Sequence, residues 1–439
     1  MTRTVAGSSP AVLRTVAMLI ACSGLLAPAA GHTQSLESEL PPLPGKFDSR
    51  TPAAPVVPYA IPDVTEETVR QTQVNEHWLT LKLGFVGIYD FTTFRQDSDN
   101  QAQVGTQDDE PEVRAARLML RGTLGSAHRV KYLLAAEYKG FDTEPGDTWS
   151  LADLSITFPL GNEATRLTIG KSKETFAYEM VGSSANLPQM ERVLSPFFVS
   201  RNIGIKLDRV LGAEHRATAA IGIFSNDWGG DGSGPGTTTD VTGRVTRLLW
   251  STKEDTSFLH LGASMRYVTP NENVLQYKGR PETNVSDNFV DTGAFEADHA
   301  LHFAVEALWN QGPYSVLAEY HQASVDAPLS GDPRFFGYYV TGSWVLTGET
   351  RPYDRTAGYA KRVMPDGRWG APELVLRYSH VDLESGNLEG GSYDKIYFGI
   401  NWWATRRWKA GLGWGRTWLD RFGTEGTMNS LLTRLQWVF

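Results

Sequence analysis

The feature that most constrains the fold is a two-residue alternation of apolar and polar side chains. It recurs in segments of about ten residues from Trp78 to the final Phe439, a length typical of strands that cross a membrane. In WLTLKLGFVGIYDF, for example, the leucines fall on one face, and Lys82 and Asp90 fall on the other. Side chains alternate between the two faces of a β-strand, so each segment is predicted to be a strand with one apolar and one polar face.

Two folds fit such strands: a soluble β-sandwich with the apolar faces inside, and a transmembrane barrel with them facing lipid. Three features favour the barrel. Tryptophans, 13 in all, cluster at strand ends, where the interfacial girdles of barrels lie. Short turns such as 161–162 and 310–313 alternate with long polar loops such as 226–240 and 277–298. The chain also ends on a strand with an aromatic residue, Phe439, which resembles the C-terminal signature of outer-membrane porins.

We therefore predict an all-β fold, a transmembrane antiparallel β-barrel over residues 77–439. At about ten residues per strand, plus loops and turns, this length gives about 16 strands, with 18 as the alternative. Beyond the N-terminus the chain has no uninterrupted apolar run long enough for a spanning helix, and its mean hydropathy is −0.30.

The N-terminal part of the chain has a different composition. Residues 1–31 are predicted to be a signal peptide, in which Arg3 and Arg14 flank a short apolar core followed by small residues. Residues 32–76 are Pro-rich and lack periodicity, so we expect a mobile extension. The single cysteine, Cys22, lies in the predicted signal, so no disulfide is expected in the mature chain.

The overall charge argues against nucleic acid as a partner. The chain has 41 basic and 50 acidic residues, and removing the signal leaves 39 basic residues against the same 50 acidic ones. Alternation nevertheless assigns more basic than acidic side chains to the polar, lumenal face. The basic ones are Lys82, Arg117, Arg121, Lys131, Lys139, Arg166, Lys206, Arg216, Arg266, Arg377, Lys395, Lys409 and Arg434. The acidic ones are Asp90, Glu137, Asp153, Asp208, Glu306 and Glu319. A basic lining attracts anions, although lumenal charges can also serve only to keep a pore wet.

One connection between strands is too long for a turn and too apolar for an ordinary surface loop. It lies within residues 170–208, between two strand patterns, and it carries cations and a serine pair. These residues are Lys171, Lys173, Ser183, Ser184, Arg192 and Arg201. We expect the segment to fold into the barrel and narrow it, the alternative being a long external loop. Alternation would point Lys171 and Lys173 to lipid, so a β-bulge at Gly170 is predicted to re-aim them.

Several motifs, taken in order, resemble the phosphate-selective porin O and P family over residues 79–439. The motifs are Gly170–Phe176 (GKSKETF), Met190–Arg192, Arg201–Gly204, Gly337–Val340, Leu346–Glu349, Glu373–Ser379, Asn401–Trp403 and the terminal Phe439. The resemblance implies a 16-stranded homotrimer in the outer membrane of a Gram-negative bacterium. It also implies a third loop that folds into the pore and basic residues that guide anions to it.

The same resemblance assigns roles to particular positions. Arg114 lies where the family has a pair of pore-lining arginines, but its neighbour here is Ala115. Ser183 and Ser184 match a serine pair on the inward loop, and Ala185 stands where strictly phosphate-specific members are expected to carry a lysine. These two departures argue against strict phosphate specificity, because each charge-assisted hydrogen bond that is lost matters most where water is scarce.

The sequence thus predicts a porin that passes small anions, phosphate or related oxyanions among them, by passive diffusion. The alternatives are a broad-substrate porin and a structural barrel plugged by its own loop. The candidate pore-lining residues are Arg114, Arg117, Arg121, Lys171, Lys173, Ser183, Ser184, Arg192, Arg201, Lys206, Arg216, Arg266 and Arg377. No HExxH, Walker or GxSxG motif is present, so we expect neither an enzyme nor a cofactor or metal site. The expected partners are small inorganic anions, outer-membrane lipid and lipopolysaccharide, two further copies of the chain, and the barrel assembly machinery, which would read Phe439.

Overall fold

The structure is a computed structural model, which describes residues 73–127, 129–138, 149–161, 164–226 and 238–439. The predicted signal peptide and almost all of the Pro-rich extension lie outside the described residues.

Sixteen antiparallel strands form a closed barrel, which confirms the predicted fold. Each strand pairs with the next, and the first pairs with the last. Numbered in chain order, they are β1 Leu79–Gln96, β2 Glu110–Leu124, β3 Val130–Tyr138, β4 Trp149–Pro159, β5 Thr165–Lys173, β6 Arg201–Leu211, β7 Ala217–Ser225, β8 Thr238–Ser251, β9 Ser257–Pro270, β10 His299–Gln311, β11 Tyr314–Asp326, β12 Arg334–Val345, β13 Ala371–Ser385, β14 Leu388–Trp403, β15 Trp408–Arg421 and β16 Thr424–Val438. Closure is completed by Phe85 and Phe439, whose backbones exchange hydrogen bonds of 3.1 and 2.8 Å.

The strands bury their polar face and expose their apolar one. In β10, Leu301, Phe303 and Val305 are exposed, whereas the alternate residues His302 and Glu306 are buried. This arrangement is the reverse of a soluble sandwich, because the apolar belt faces outward to lipid. The interior is polar except where apolar side chains of the 174–200 and 271–298 segments pack together with a few wall residues. Among the described residues, no helix is both long enough and apolar enough to span a bilayer.

The remaining elements are short and lie in the connections. They are the helices Ser98–Val104 and Tyr178–Val181, the 3₁₀ turns Ser184–Asn186, Ser195–Phe197 and Pro328–Ser330, and the short strands Gln73–Asn75, Val274–Leu275, Lys278–Gly279, Val290–Asp291, Phe295–Glu296, Tyr353–Asp354 and Tyr359–Ala360. Gln73–Asn75 pairs with the beginning of β1, and the other six form three separate two-stranded ribbons.

The two rims of the barrel differ in their connections. One rim, here called the turn rim, carries both ends of the barrel and short connections such as 125–129, 212–216 and 312–313. The opposite rim, here called the loop rim, carries the long connections 174–200 and 271–298. The alternation of short and long connections predicted from the sequence fails at several places. On the loop rim, the connections 386–387 and 422–423 are only two residues long. The connection between β12 and β13, residues 346–370, lies on the turn rim and is as long as those opposite.

A β-bulge occurs in β2 and not at Gly170, where it was predicted. Ile88 pairs with Ala115 but Tyr89 pairs with Val113, so Arg114 is the extra residue. The bulge shifts the alternation by one, which explains why Arg114 is buried in the interior although simple alternation assigns it to the lipid side. The predicted bulge at Gly170 is wrong, because β5 stays in register with both neighbours throughout.

A glycine in β2 permits a close approach of two backbones at the turn rim. A Cβ atom on Gly122 would lie 1.8 Å from the carbonyl oxygen of Thr80. The same oxygen accepts a hydrogen bond of 3.0 Å from the hydroxyl of Tyr132. We expect Gly122→Ala to destabilise the barrel by about 2 kcal/mol through overpacking, lowering the temperature at which it loses compact mobility in gel electrophoresis. Gly243→Ala is the control, since the nearest atom there is 3.7 Å away. If Gly122→Ala and Gly243→Ala lost compact mobility at the same temperature, this account would be contradicted.

Candidate functional site: two basic cavities inside the barrel

The larger of two adjoining cavities has a volume of about 840 Å³. Its wall is formed by strands β1 to β8, the 174–200 and 346–370 segments and the end of the chain. Most of these elements reach the turn rim, so the cavity lies towards that rim. Eleven basic side chains contribute to its wall: Arg117, Arg121, Lys131, Arg166, Lys173, Arg201, Lys206, Arg209, Arg244, Lys361 and Arg362. Three acidic ones do so: Asp153, Glu174 and Asp208. The wall is therefore strongly cationic although the chain as a whole is acidic.

The smaller cavity has a volume of about 20 Å³ and lies towards the loop rim. Its lining residues are Arg114, Ala115, Arg117, Glu137, Lys173, Met180, Ser184, Arg192, Ser200 and Arg201. Arg117, Lys173 and Arg201 line both cavities, so the two meet at these side chains. A space of this size holds about one water molecule, which makes it a narrow point beside the larger cavity.

Strand pairing brings the cations of the smaller cavity together. Lys173, the last residue of β5, lies directly across from Arg201, the first residue of β6. Two like charges in this arrangement repel, and neighbouring groups offset the repulsion. Arg201 donates to Asp153 at 3.0 Å, and the ammonium of Lys173 donates to the carbonyls of Met180, at 2.8 Å, and of Gly182.

Some cations of the two cavities have an acidic partner and others do not. Arg117 pairs with Glu137 on the adjacent strand at 2.6 Å, and Arg166 pairs with Asp208. Within the described residues, the side chains of Arg121 and Lys131 have neither an ion pair nor a hydrogen bond. They are therefore fixed positive charges that a small anion can approach without displacing a carboxylate.

Side chains of the barrel wall hold the 174–200 segment by its carbonyl groups. Six carbonyls between residues 185 and 191 each accept a hydrogen bond of 2.5–3.2 Å from a different side chain. The donor–acceptor pairs are Gln436 to Ala185, Arg351 to Asn186, Lys409 to Leu187, Asn401 to Pro188, Arg434 to Met190 and Arg377 to Glu191. All donors except Arg351 lie on strands β13 to β16. Buried irregular backbone needs such partners, because each carbonyl without one would cost free energy.

The beginning of this segment is held through carboxylates. Glu319 on β11 accepts from the backbone amides of Tyr178 and Glu179, at 2.6 and 3.3 Å. Glu179 in turn accepts from Arg377 on β13 at 2.9 Å and from Gln189 at 2.9 Å. The segment is thereby attached to β11 and β13 as well as to its own residues.

Two further connections contact inward-facing residues of the wall. From the 346–370 segment, Ala357 and Gly358 accept hydrogen bonds from Arg244 on β8 at 3.2 and 2.7 Å. From the 271–298 segment, the carbonyl of Pro281 accepts from Lys395 on β14 at 2.5 Å. Charged residues of the wall thus hold connections from both rims, the 346–370 segment from the turn rim and the 271–298 segment from the loop rim.

The structure brings nine of the thirteen predicted site residues to the two cavities. They are Arg114, Arg117, Arg121, Lys173, Ser183, Ser184, Arg192, Arg201 and Lys206. The hydroxyl of Ser183 accepts from the amide of Ala185 at 3.3 Å, and Ala185 lines the larger cavity.

The other four predicted residues lie elsewhere. Lys171 pairs across strands with Leu154, whose side chain is exposed on the outer face. Arg216 belongs to a turn at the turn rim and pairs with Glu214 at 2.5 Å. Arg266 and Arg377 are buried, each is paired with carboxylates, and neither lines the two cavities described here.

Arg266 and Arg377 serve the structure of the interior. Arg266 binds Glu174 at 3.1 Å and Asp240 at 2.8 Å. Arg377 binds Glu179 and the 174–200 segment, and its guanidinium lies 4.1 Å from the ring centre of Tyr339. Alternation correctly predicts that Arg266 and Arg377 point inward. It does not distinguish a side chain that lines a cavity from one that binds a loop.

Sequence reasoning missed several cavity residues. Arg244 follows the same alternation as Asp240 and Thr242 in β8, so parity would have placed it inside. Lys361 and Arg362 belong to the 346–370 segment, which has no alternation, and no signal in the sequence points to their position. Among the described residues, no group of three His, Cys, Asp or Glu side chains could hold a metal ion.

Comparison with known proteins assigns the family. The sequence profile described as "Phosphate-selective porin O and P" matches residues 82–439, which is most of the chain. The protein belongs to this porin family. The resemblance predicted from the motifs is thereby confirmed, and the barrel is that of an outer-membrane porin.

Individual relatives match over part of their length. The porin is 27% identical over 195 residues to an uncharacterized protein of Caulobacter vibrioides, covering 41% of this chain and 39% of that protein. It is 26% identical over 162 residues to Porin O of Pseudomonas aeruginosa, covering 34% of this chain and 36% of that protein. The chain therefore aligns with well under half the length of either relative. OmpT of Vibrio cholerae shares the fold, with a TM-score of 0.51, 10% identity and coverage of 84% of this chain and 100% of that chain.

Removing one of the carbonyl donors should loosen the 174–200 segment. Asn401 donates to Pro188 at 2.7 Å and to Glu373 at 3.0 Å, and both acceptors would lose this partner in Asn401→Leu. The loss costs about 1–3 kcal/mol, so we expect amide hydrogen exchange near residues 185–191 to accelerate about tenfold or more. Asn429→Leu, on the outer side of β16, is the matched control. Unchanged exchange in Asn401→Leu, or the same acceleration in the control, would contradict the anchoring role.

The carboxylate of Glu191 should make stability depend on acid pH. Burial raises its pKa, but Arg114 and Arg434 outweigh burial and hold the pKa at about 2, below the ordinary value of 4.5. A lowered pKa gives a contribution that is complete above pH 4.5 and is lost as the pH falls through 2. The shift corresponds to about 3 kcal/mol. We expect the difference in unfolding free energy between the wild type and Glu191→Gln, from urea titration in detergent, to be constant from pH 7 to 5 and to shrink below pH 4. A difference independent of pH down to 2 would refute the pairing.

Proposed function

We propose that this porin passes small inorganic anions by passive diffusion through its basic cavities, and that phosphate and related oxyanions are among its solutes. The observation that carries the proposal is the lining of the larger cavity, to which eleven basic side chains and only three acidic ones contribute. A cationic wall in a low-dielectric surrounding raises the local concentration of anions and repels cations.

The proposed path runs from the narrow point formed with the 174–200 segment into the larger cavity. At the narrow point an anion would meet Arg117, Lys173, Arg192 and Arg201. In the larger cavity it would meet Arg121, Lys131 and Lys206. A wall cation can bind either a neighbouring carboxylate or the passing anion. This exchange makes binding of the anion strong enough for entry and weak enough for release.

The residues at two positions bear on how selective such a pore is for phosphate. Ala115 lines the smaller cavity and Ala185 the larger one, where the family resemblance led us to expect cations. With fewer fixed charges at the narrow point, phosphate would be retained less firmly. We therefore propose a preference for anions with phosphate as one permeant species, and no strict specificity.

The proposal extends to assembly and location. We propose a homotrimer in the outer membrane of a Gram-negative bacterium, in contact with lipopolysaccharide and inserted by the barrel assembly machinery. The last residue, Phe439, is bound to β1 at the closure of the barrel, as a C-terminal strand read during assembly would be.

Single-channel current in a planar bilayer tests the proposed function. In chloride, we expect discrete openings whose current falls as phosphate is added to one side. Arg121→Glu should reduce the chloride conductance several-fold, because it reverses a charge in the larger cavity. Arg216→Glu makes the same change of charge at the turn rim, outside both cavities, and should leave the conductance unchanged. If the two variants behave alike, the cavity does not carry the current.

A second candidate is a structural barrel that conducts no ions. It is favoured by one observation, the volume of about 20 Å³ at the narrow point, which is smaller than a hydrated anion. The same bilayer experiment separates the two candidates, since a plugged barrel gives no openings at any salt concentration although the protein is inserted.

A further inference from the structure

The carboxylate of Glu191 lies between two guanidinium groups beside the smaller cavity. Arg114 binds it in a bidentate manner, with Nε to Oε1 at 2.9 Å and Nη2 to Oε2 at 3.0 Å. Arg434 binds Oε1 from the other side. Glu191 belongs to the 174–200 segment and both arginines belong to the wall, so the pairing joins the segment to β2 and β16.

Arg434 does not need this carboxylate as a partner. Asp90 on β1 already binds it in a bidentate manner, at 2.8 and 2.5 Å, and its third nitrogen donates to Met190. The four charges of Asp90, Arg434, Glu191 and Arg114 sum to zero. The charge that Glu191 neutralises is therefore that of Arg114, which lines the smaller cavity.

Glu191 stays ionised at any working pH, because the two guanidiniums hold its pKa at about 2 in spite of burial. Nearby, Glu112 accepts from Asn284 and is not bound to Arg114. Arg192, which also lines this cavity, donates to the carbonyl of Glu179 at 2.7 Å. Glu191 is thus a fixed negative charge held next to a cluster of cations at the narrow point.

We propose that Glu191 is a built-in counter-ion that sets the affinity of the narrow point for anionic solutes. It occupies the guanidinium fork of Arg114 that a phosphate or other oxyanion would otherwise take, and its charge weakens the attraction of the remaining cations. A bidentate fork matched to an oxyanion binds strongly, so an unoccupied Arg114 would retain the solute. Because Glu191 occupies the guanidinium of Arg114, an anionic solute binds there only weakly and can pass through. The inference rests on the proposed anion pathway.

Removing the charge of Glu191 and removing the charge of Arg114 should change the phosphate block of the chloride current in opposite directions. Glu191→Gln keeps the shape and removes one negative charge, so it should tighten the block of chloride current by phosphate about tenfold, which one unit charge at close range accounts for. Arg114→Gln removes one positive charge and should weaken the block by a similar factor. Glu191→Gln combined with Arg114→Gln restores the net charge and should return the block close to that of the wild type. Glu191→Asp keeps the charge and should resemble the wild type.

A purely structural role predicts a different pattern. If the pair only holds the segment in place, both single variants loosen it, and both should then raise the conductance and weaken the block. That result would overturn the proposal, as would a block in Glu191→Gln equal to that of the wild type. Arg114→Gln keeps the test decisive if Glu191→Gln does not assemble, since a block unchanged in Arg114→Gln also contradicts the proposal.

The control for the underlying pathway is the wild type itself. If the wild type is not anion-selective, the proposed function fails before any variant is compared. If the wild type is anion-selective and phosphate blocks it, but the two single variants shift the block in the same direction, only the role of Glu191 fails.

Discussion

The interior of this barrel depends on the need of buried irregular backbone for hydrogen bonds. Residues 185–191 of the 174–200 segment have only one short 3₁₀ turn among them, so most of their carbonyls have no partner within the segment. Six side chains bind six of these carbonyls: five lie on the four adjacent strands β13 to β16, and Arg351 lies in the 346–370 segment. The position of the segment is fixed by this set of donors more than by its own conformation.

This requirement divides the charges of the interior into two groups. Cations on β13, β15 and β16, such as Lys409 and Arg434, bind and hold the segment. Cations on β2 to β8, such as Arg121 and Lys131, line the cavities, where some have a carboxylate partner and some do not. The proposed anion path follows the second group, and Glu191 marks the boundary, because it belongs to the segment and neutralises a cation of the path.

Much of the fold could be predicted from the sequence. Two-residue alternation specifies strands directly, since it reflects the two faces of a strand, and the length of the alternating region gives the number of strands. The family motifs and the inward direction of most lumenal charges followed from the same patterns. Six acidic residues assigned to the lumen by alternation are all in the interior and bonded there, as for Asp90 with Arg434 and Glu306 with Arg244.

The remaining features depend on contacts between distant parts of the chain. A single-residue bulge at Arg114 reverses the alternation on one side of it, and nothing in the local sequence distinguishes it from the bulge wrongly predicted at Gly170. The 346–370 segment has no periodicity, so its place on the turn rim and its contacts with Arg244 were not predictable. Alternation also gave Arg266 and Arg377 as pore-lining, because it reports the face of a strand and not what occupies the space beyond it.

The measurement that tests the central claim most directly is the zero-current potential of the wild-type porin across a gradient of potassium chloride in a planar bilayer. The basic cavities predict that chloride carries most of the current, so the potential should have the sign of an anion-selective pore and should shrink towards zero at high salt as charges are screened. A potential with the sign of a cation-selective pore would contradict the account, because it would mean that the cationic wall of β2 to β8 does not line the path of the ions.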